Sequence, residues 1–238
     1  MANFLFHTYE NDADYIAGVT AEIVAGLTHR PSAATKSTRA QLFLSGGTSP
    51  APVYASLATQ NLDWSQIDIR LVDERWVKNT AERKSASNAS MIARTLLTEN
   101  TVKATFHRLA DYASDMPTSI AQANAGYQTP TVVVLGMGED GHTASLFPNA
   151  SALQAAFDCN DAYTSLDATG CPVAGKWPER ITMTPHGWAH AANRLLLIRG
   201  QAKKEVFEAA IAAGDMLKYP VLAALTMGQA LLNVHWAA

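Results

Sequence analysis

Of the seven histidines in the chain, only His142 follows a glycine-lined turn. Gly136, Gly138 and Gly141 precede it, directly after the apolar run Thr131 to Leu135. Glycines let a backbone take positive φ and approach a ligand closely, and an imidazole delivered by such a turn can act as a general base near neutral pH. A base of this kind is typically worth about 10² to 10⁴ in rate. Asp140 adds a carboxylate two residues before it, whereas His7, His29, His107, His186, His190 and His235 lie in no comparable setting. A second cluster, Ser45, Gly46, Gly47, Thr48 and Ser49, stands before Pro50, a residue suited to a first helical turn. Its backbone N–H groups, its hydroxyls and a helix dipole together suit a phosphate, although a Gly-Gly turn after a strand is also an ordinary structural device. The segment has neither the lysine of a P-loop nor the spacing of a dinucleotide fingerprint. Asp73, Glu74 and Arg75 form a third cluster, readable as a substrate contact or as a solvated ion pair.

These groups need elements that bring them to one edge. Tyr15, Ile16, Val19, Ile23, Val24 and Leu27 make an apolar stripe that predicts an amphipathic helix over 12–29. The Pro- and Ser-containing run 31–38 reads as a surface loop, and 41–44 as a short buried strand ending at the Ser-Gly-Gly turn. A helix over 50–59 follows, then a strand over 67–72 leading into Asp73. A helix over about 88–98, a strand over 131–135, strands over 181–184, 194–199 and 231–235, and a helix over about 202–212 complete the pattern. Short apolar strands alternating with helices predict an α/β fold: a single doubly wound, mainly parallel sheet flanked by helices, with 1–238 as one domain. Open sheets of this kind bind ligands at the carboxyl ends of their strands, where the three clusters fall. Residues 151–176 are poorly patterned and read as a possible flap beside the site.

The run from Gly136 to Pro148, with Leu44 to Pro50 and Asp73 to Arg75, closely resembles the 6-phosphogluconolactonases, within the wider glucosamine-6-phosphate deaminase superfamily. Matching segments occur in order from about residue 41 to about 225. The resemblance implies hydrolysis of a sugar-phosphate lactone and a pocket signature made of Asp73 to Arg75 with Ser87 and Asn88. It also implies that Arg180 and Lys203, each an unremarkable cation on spacing alone, bind the phosphate; the Gly-x-x-Lys spacing selects Lys203 over Lys204. The expected catalytic residues are His142, Asp73 and Arg75, with Asp73 binding a hydroxyl or orienting His142. Ser45, Gly46, Gly47, Thr48, Ser49, Asp140, Gly141, Arg180 and Lys203 are expected around the substrate, and backbone amides within 136–141 as donors to the oxyanion. A deaminase reading is disfavoured, because Thr143 to Pro148 replaces the acid-bearing segment those enzymes carry after the histidine.

Composition narrows the partners. Charged residues make up 16% of the 238, and the net charge of −3 offers no basic footprint for nucleic acid. No apolar run approaches the roughly 20 residues of a membrane span, and the N-terminus has no signal-peptide pattern. With Cys159 and Cys171 as the only thiols, a reducing cytoplasm is expected. No cluster has metal-ligand spacing, so neither metal nor cofactor is expected, and the partner is a small phosphorylated lactone bound by a monomer or weak homo-oligomer. A sensor that binds sugar phosphate without turnover is the remaining alternative; it would leave His142 without a task, and the chain shows no helix-turn-helix segment. The C-terminal Asn233 to Ala238 lacks the acidic residue many relatives carry there, a departure that leaves the expected catalytic set untouched.

Overall fold

The computed structural model describes residues 3–29 and 39–238, so the loop expected over 31–38 lies outside the described residues. Strand β1 (Phe4–Tyr9) enters helix α1 (Asp12–Thr28), which starts where Asn11 accepts a hydrogen bond from the Asp14 amide. Its buried Tyr15, Val19, Ile23 and Leu27 recur every fourth residue, which makes one face apolar and binds it to the sheet. Strand β2 (Ala40–Leu44), α2 (Ala51–Ala58) and β3 (Ile67–Leu71) follow, then β4 (Asp73–Arg75), α3 (Thr80–Ala86), α4 (Asn88–Thr95) and β5 (Thr105–Phe106). The chain continues through α5 (Met116–Ala125), β6 (Val132–Gly136), α6 (Leu153–Asp158), β7 (Tyr163–Asp167), β8 (Glu179–Met183) and α7 (Pro185–Ala189). It closes with β9 (Asn193–Arg199), α8 (Gln201–Ala213), α9 (Val221–Thr226) and β10 (Leu232–Ala237). Among the described residues, no helix is long and apolar enough to cross a membrane.

Seven strands form a parallel sheet in the order β1-β10-β9-β6-β2-β3-β5. Every residue of β2 and β3 is buried, as strands covered by helices on both faces require. From β2 the chain steps outward to β3 and β5, and from β6 it steps the other way to β9 and β10. The crevice between β2 and β6 is therefore the topological switch point, the place where an open α/β sheet takes its ligand. The Ser45 loop leaves β2 and the His142 turn leaves β6 on either side of that crevice.

One expected strand belongs elsewhere. The run at 181–184 falls in β8 up to Met183, and β8 pairs antiparallel with β4 and β7 in a second, three-stranded sheet. Val72 joins the two layers: its N–H donates to Leu44 of β2, while its carbonyl accepts from Met183 of β8. Asp73 to Arg75 are consequently a strand of that second sheet, with Arg75 directly opposite Arg180. The segment 151–176, anticipated as a flap, holds α6 and β7 and contributes no residue to the pocket wall described below.

Candidate active site

The pocket at the switch point is lined by Ser45 to Pro50, Asp73, Arg75, Asn88, Gly136 to Gly138, His142, Ala144, Arg180, Leu197 and Lys203. The main sheet supplies the glycine loops, the His142 turn and Lys203; the second sheet supplies Asp73, Arg75 and Arg180.

His142 is held from behind. Its Nδ1 lies 2.6 Å from Asp140 Oδ1, and the same oxygen accepts the His142 backbone N–H at 3.1 Å. Burial pushes the Asp140 carboxyl up, but the hydrogen bonds and charge of His142 outweigh it and leave the carboxyl below its usual value. An ionised carboxylate can only accept, so Nδ1 carries the proton, and in the neutral imidazole the lone pair then lies on Nε2. The ring packs against Phe147, with centroids 4.5 Å apart. Gly138 makes room for it, since a Cβ there would overlap the imidazole. Of the three glycines in the turn, only Gly141 takes a positive φ, 82°.

This geometry corrects two expected roles. Asp140, rather than Asp73, orients His142, and neither Asp140 nor Gly141 stands on the pocket wall. The Gly141 carbonyl instead accepts from Val221, which anchors the turn to α9. The Asp73 carboxylate is occupied by Ser145 Oγ at 2.6 Å and Asn88 Nδ2 at 3.0 Å, which fix it at the pocket edge. The amides proposed for the oxyanion are also partly committed: Gly138 N–H donates to His142 O and Gly141 N–H to Gly138 O.

The elements expected to bind the anion are arranged differently. Ser45 spends its hydroxyl proton on Val134 O, so it offers the pocket no donor. The amides of Gly46, Gly47, Thr48 and Ser49, in contrast, find no acceptor among the described residues and flank the start of α2. Gly46 presses on the Asn88 side chain, leaving no space for a Cβ. Lys203 reaches the wall from the first turn of α8, and burial lowers its ammonium pKa against the opposing pull of Glu139 and Asp140. Lys204 turns away, its Nζ 4.5 Å above the Trp236 ring. Arg180 is 4% exposed and fixed by Trp177 O, Ala174 O and Ser145 Oγ. Burial lowers it to about 10, with Asp73 opposing that shift. Arg75 donates through Nη1 to Ala86 O and Asn88 Oδ1. Glu74 faces away from the pocket and caps α4, accepting from the Asn88 and Ala89 amides and from Ser87 Oγ. Burial raises its carboxyl against those bonds.

Ser145 was not anticipated. From the loop after β6 it reaches the second sheet, donating to Asp73 and accepting from Arg180, and its only sequence signal is its place three residues after His142.

Known proteins resemble the chain over its whole length. The family model described as Glucosamine-6-phosphate isomerases/6-phosphogluconolactonase matches residues 11–236. A 6-phosphogluconolactonase of Xylella fastidiosa is 44% identical over 240 residues, covering 100% of this chain and 98% of that protein. Among solved structures, a putative 6-phosphogluconolactonase from Neisseria gonorrhoeae superposes with a TM-score of 0.83 at 31% identity, covering 99% of this chain and all of the other. A 6-phosphogluconolactonase from Shewanella baltica gives a TM-score of 0.85 at 25% identity, covering 99% and 98%.

Proposed function

The chain belongs to the glucosamine-6-phosphate isomerase/6-phosphogluconolactonase family, and we propose that its residues act as one domain that hydrolyses 6-phospho-D-glucono-1,5-lactone to 6-phosphogluconate in the oxidative pentose phosphate pathway. The observation that carries the mechanism is the Asp140–His142 pair, which presents a basic Nε2 to a pocket lined by cations. The phosphate docks on the Gly46 to Ser49 amides, Lys203 and Arg180, which places the lactone carbonyl at His142. His142 Nε2 takes a proton from water as the oxygen bonds to C1, forming a tetrahedral oxyanion. Arg75, whose Nε and Nη2 have no hydrogen-bond partner among the described residues, stabilises the developing charge. The C1 to ring-oxygen bond then breaks, the imidazolium returns its proton to the leaving oxygen, and Asp140 stays ionised throughout.

The stretch after His142 supports hydrolysis over deamination. Thr143 donates to Gly136 O and Ser145 to Asp73, and no carboxylate lies between His142 and Pro148. Two free thiols, Cys159 and Cys171, fit a cytoplasmic setting. Purified protein should open freshly generated lactone well above the spontaneous rate and release no ammonia from glucosamine 6-phosphate. Sugar-phosphate binding without turnover would instead favour a sensor.

A further inference from the structure

A second cluster of ligating side chains lies at the far edge of the main sheet, outside the pocket wall. Strands β1 and β10 pair in parallel with His7 opposite His235, and the two imidazoles stack with centroids 4.8 Å apart and planes 14° apart. Glu22, from the helix that covers this face, places Oε2 3.1 Å from His235 Nε2. On the other side of that ring, Nδ1 lies 2.8 Å from Tyr9 Oη. His235 is 1% exposed, yet its Nε2 makes no hydrogen bond among the described residues. A buried imidazole nitrogen is thus aimed at a carboxylate without being satisfied by it.

We propose that His7, Glu22 and His235 form a binding site for a divalent transition-metal ion, with zinc favoured by the donor set. One carboxylate oxygen and two imidazole nitrogens suit zinc, with bonds of about 2.0 to 2.2 Å and a fourth position open to water. Tetrahedral bonds of that length separate neighbouring donors by roughly 3.3 Å, close to the 3.1 Å between Glu22 and His235. The donor atoms of all three residues already lie within 4.8 Å of one another. The half-buried His7 completes the set by rotating inward, releasing its 3.2 Å contact with Asn233 Oδ1. Tyr9 supplies the outer-shell partner: when His235 Nδ1–H donates to the phenol oxygen, Nε2 is left as the ligating lone pair. The ion would cross-link β1, which has one neighbour in the sheet, to both β10 and α1.

The test uses metal-free, full-length protein titrated with zinc chloride by calorimetry, with thermal melts in parallel. Wild type is compared with His7→Ala, His7→Gln and Glu22→Gln, all at partly exposed positions. His186→Ala controls for the other close histidine pair, His186 and His190, whose ring centroids are 6.3 Å apart. Wild type and His186→Ala are expected to bind one zinc, with Tm rising by about 5 to 10 °C at a hundredfold excess over Kd. The His7 and Glu22 variants should bind at least about tenfold more weakly and lose most of that rise, while their lactone hydrolysis without zinc stays at the wild-type rate. Absence of zinc binding by wild type would overturn the proposal. Equal binding by all variants, or loss only in His186→Ala, would overturn it as well.

Discussion

Replacing Asp140 with asparagine separates two contributions that the Asp140–His142 pair makes together. Asp140 Oδ1 accepts both the His142 backbone N–H and Nδ1, at 3.1 and 2.6 Å. Asparagine has one acceptor oxygen, and the two donors converge on the position it would occupy, so its carbonyl should stay there. The Nδ1–H tautomer is then retained and only the charge is lost. A hydrogen bond to a charged group contributes about 1.5 to 3 kcal/mol and a neutral one about 0.5 to 1.5, a difference of about 1 to 1.5 kcal/mol. This predicts that kcat/KM falls about tenfold in Asp140→Asn. Asp140→Ala removes the acceptor altogether, frees the ring, and should cost about a hundredfold or more. The assay is hydrolysis of fresh 6-phosphogluconolactone with spontaneous opening subtracted, paired with a binding measurement on 6-phosphogluconate. Binding should be unchanged in both variants, because Asp140 is not on the pocket wall. Equal losses in the two variants, or a loss near 10⁴ in Asp140→Asn of the kind a reversed tautomer brings, would refute the reasoning.

Lys203→Ala should lower kcat/KM by about 10- to 150-fold, mainly through KM, as expected for one charge-assisted bond to phosphate; Lys204→Ala, whose ammonium sits over Trp236, should change it less than about twofold. In Gly138→Ala the new methyl group overlaps the His142 ring, so turnover should fall by about a hundredfold while 6-phosphogluconate still binds; wild-type turnover would contradict the packing. Asp68 pairs with Arg39 at 2.7 Å and Gln41 at 2.9 Å, and although burial raises its carboxyl, these bonds outweigh that and leave it lowered. Its stabilising contribution is therefore present above roughly pH 4 and lost as pH falls through the lowered native value. Denaturant unfolding of Asp68→Asn should show a deficit at neutral pH that shrinks in acid, and a deficit that grows in acid would reverse the assignment.

The parts of this site that the sequence announces are those with local signals. A glycine turn after a buried strand marks both the Ser45 loop and His142, and the switch-point rule brings them together because β2 and β6 are adjacent. The second sheet has no such signal: β4 follows β3 after the single residue Val72, with no glycine or proline between them. Strand β7, which pairs with β8 on the side away from β4, lies in a segment whose alternation is too short to stand out, so Arg180 is placed by resemblance but not in its antiparallel frame. The place of Asp140 behind the His142 ring is hidden for a related reason. Two residues apart in a tight turn, a carboxylate and an imidazole can face the same way or opposite ways, and only the fold of Gly138 to His142 decides. Ser145 is invisible because its role is long-range: Asp73 and Arg180 lie 72 and 35 residues away in the chain.

The most direct test of the account is turnover by His142→Ala beside its affinity for 6-phosphogluconate. Loss of the His142 imidazole should lower kcat by at least about a hundredfold, with affinity close to that of wild type because the proposed phosphate contacts lie elsewhere on the wall. A variant that hydrolyses the lactone at more than about a tenth of the wild-type rate would contradict the assignment of His142 as the base.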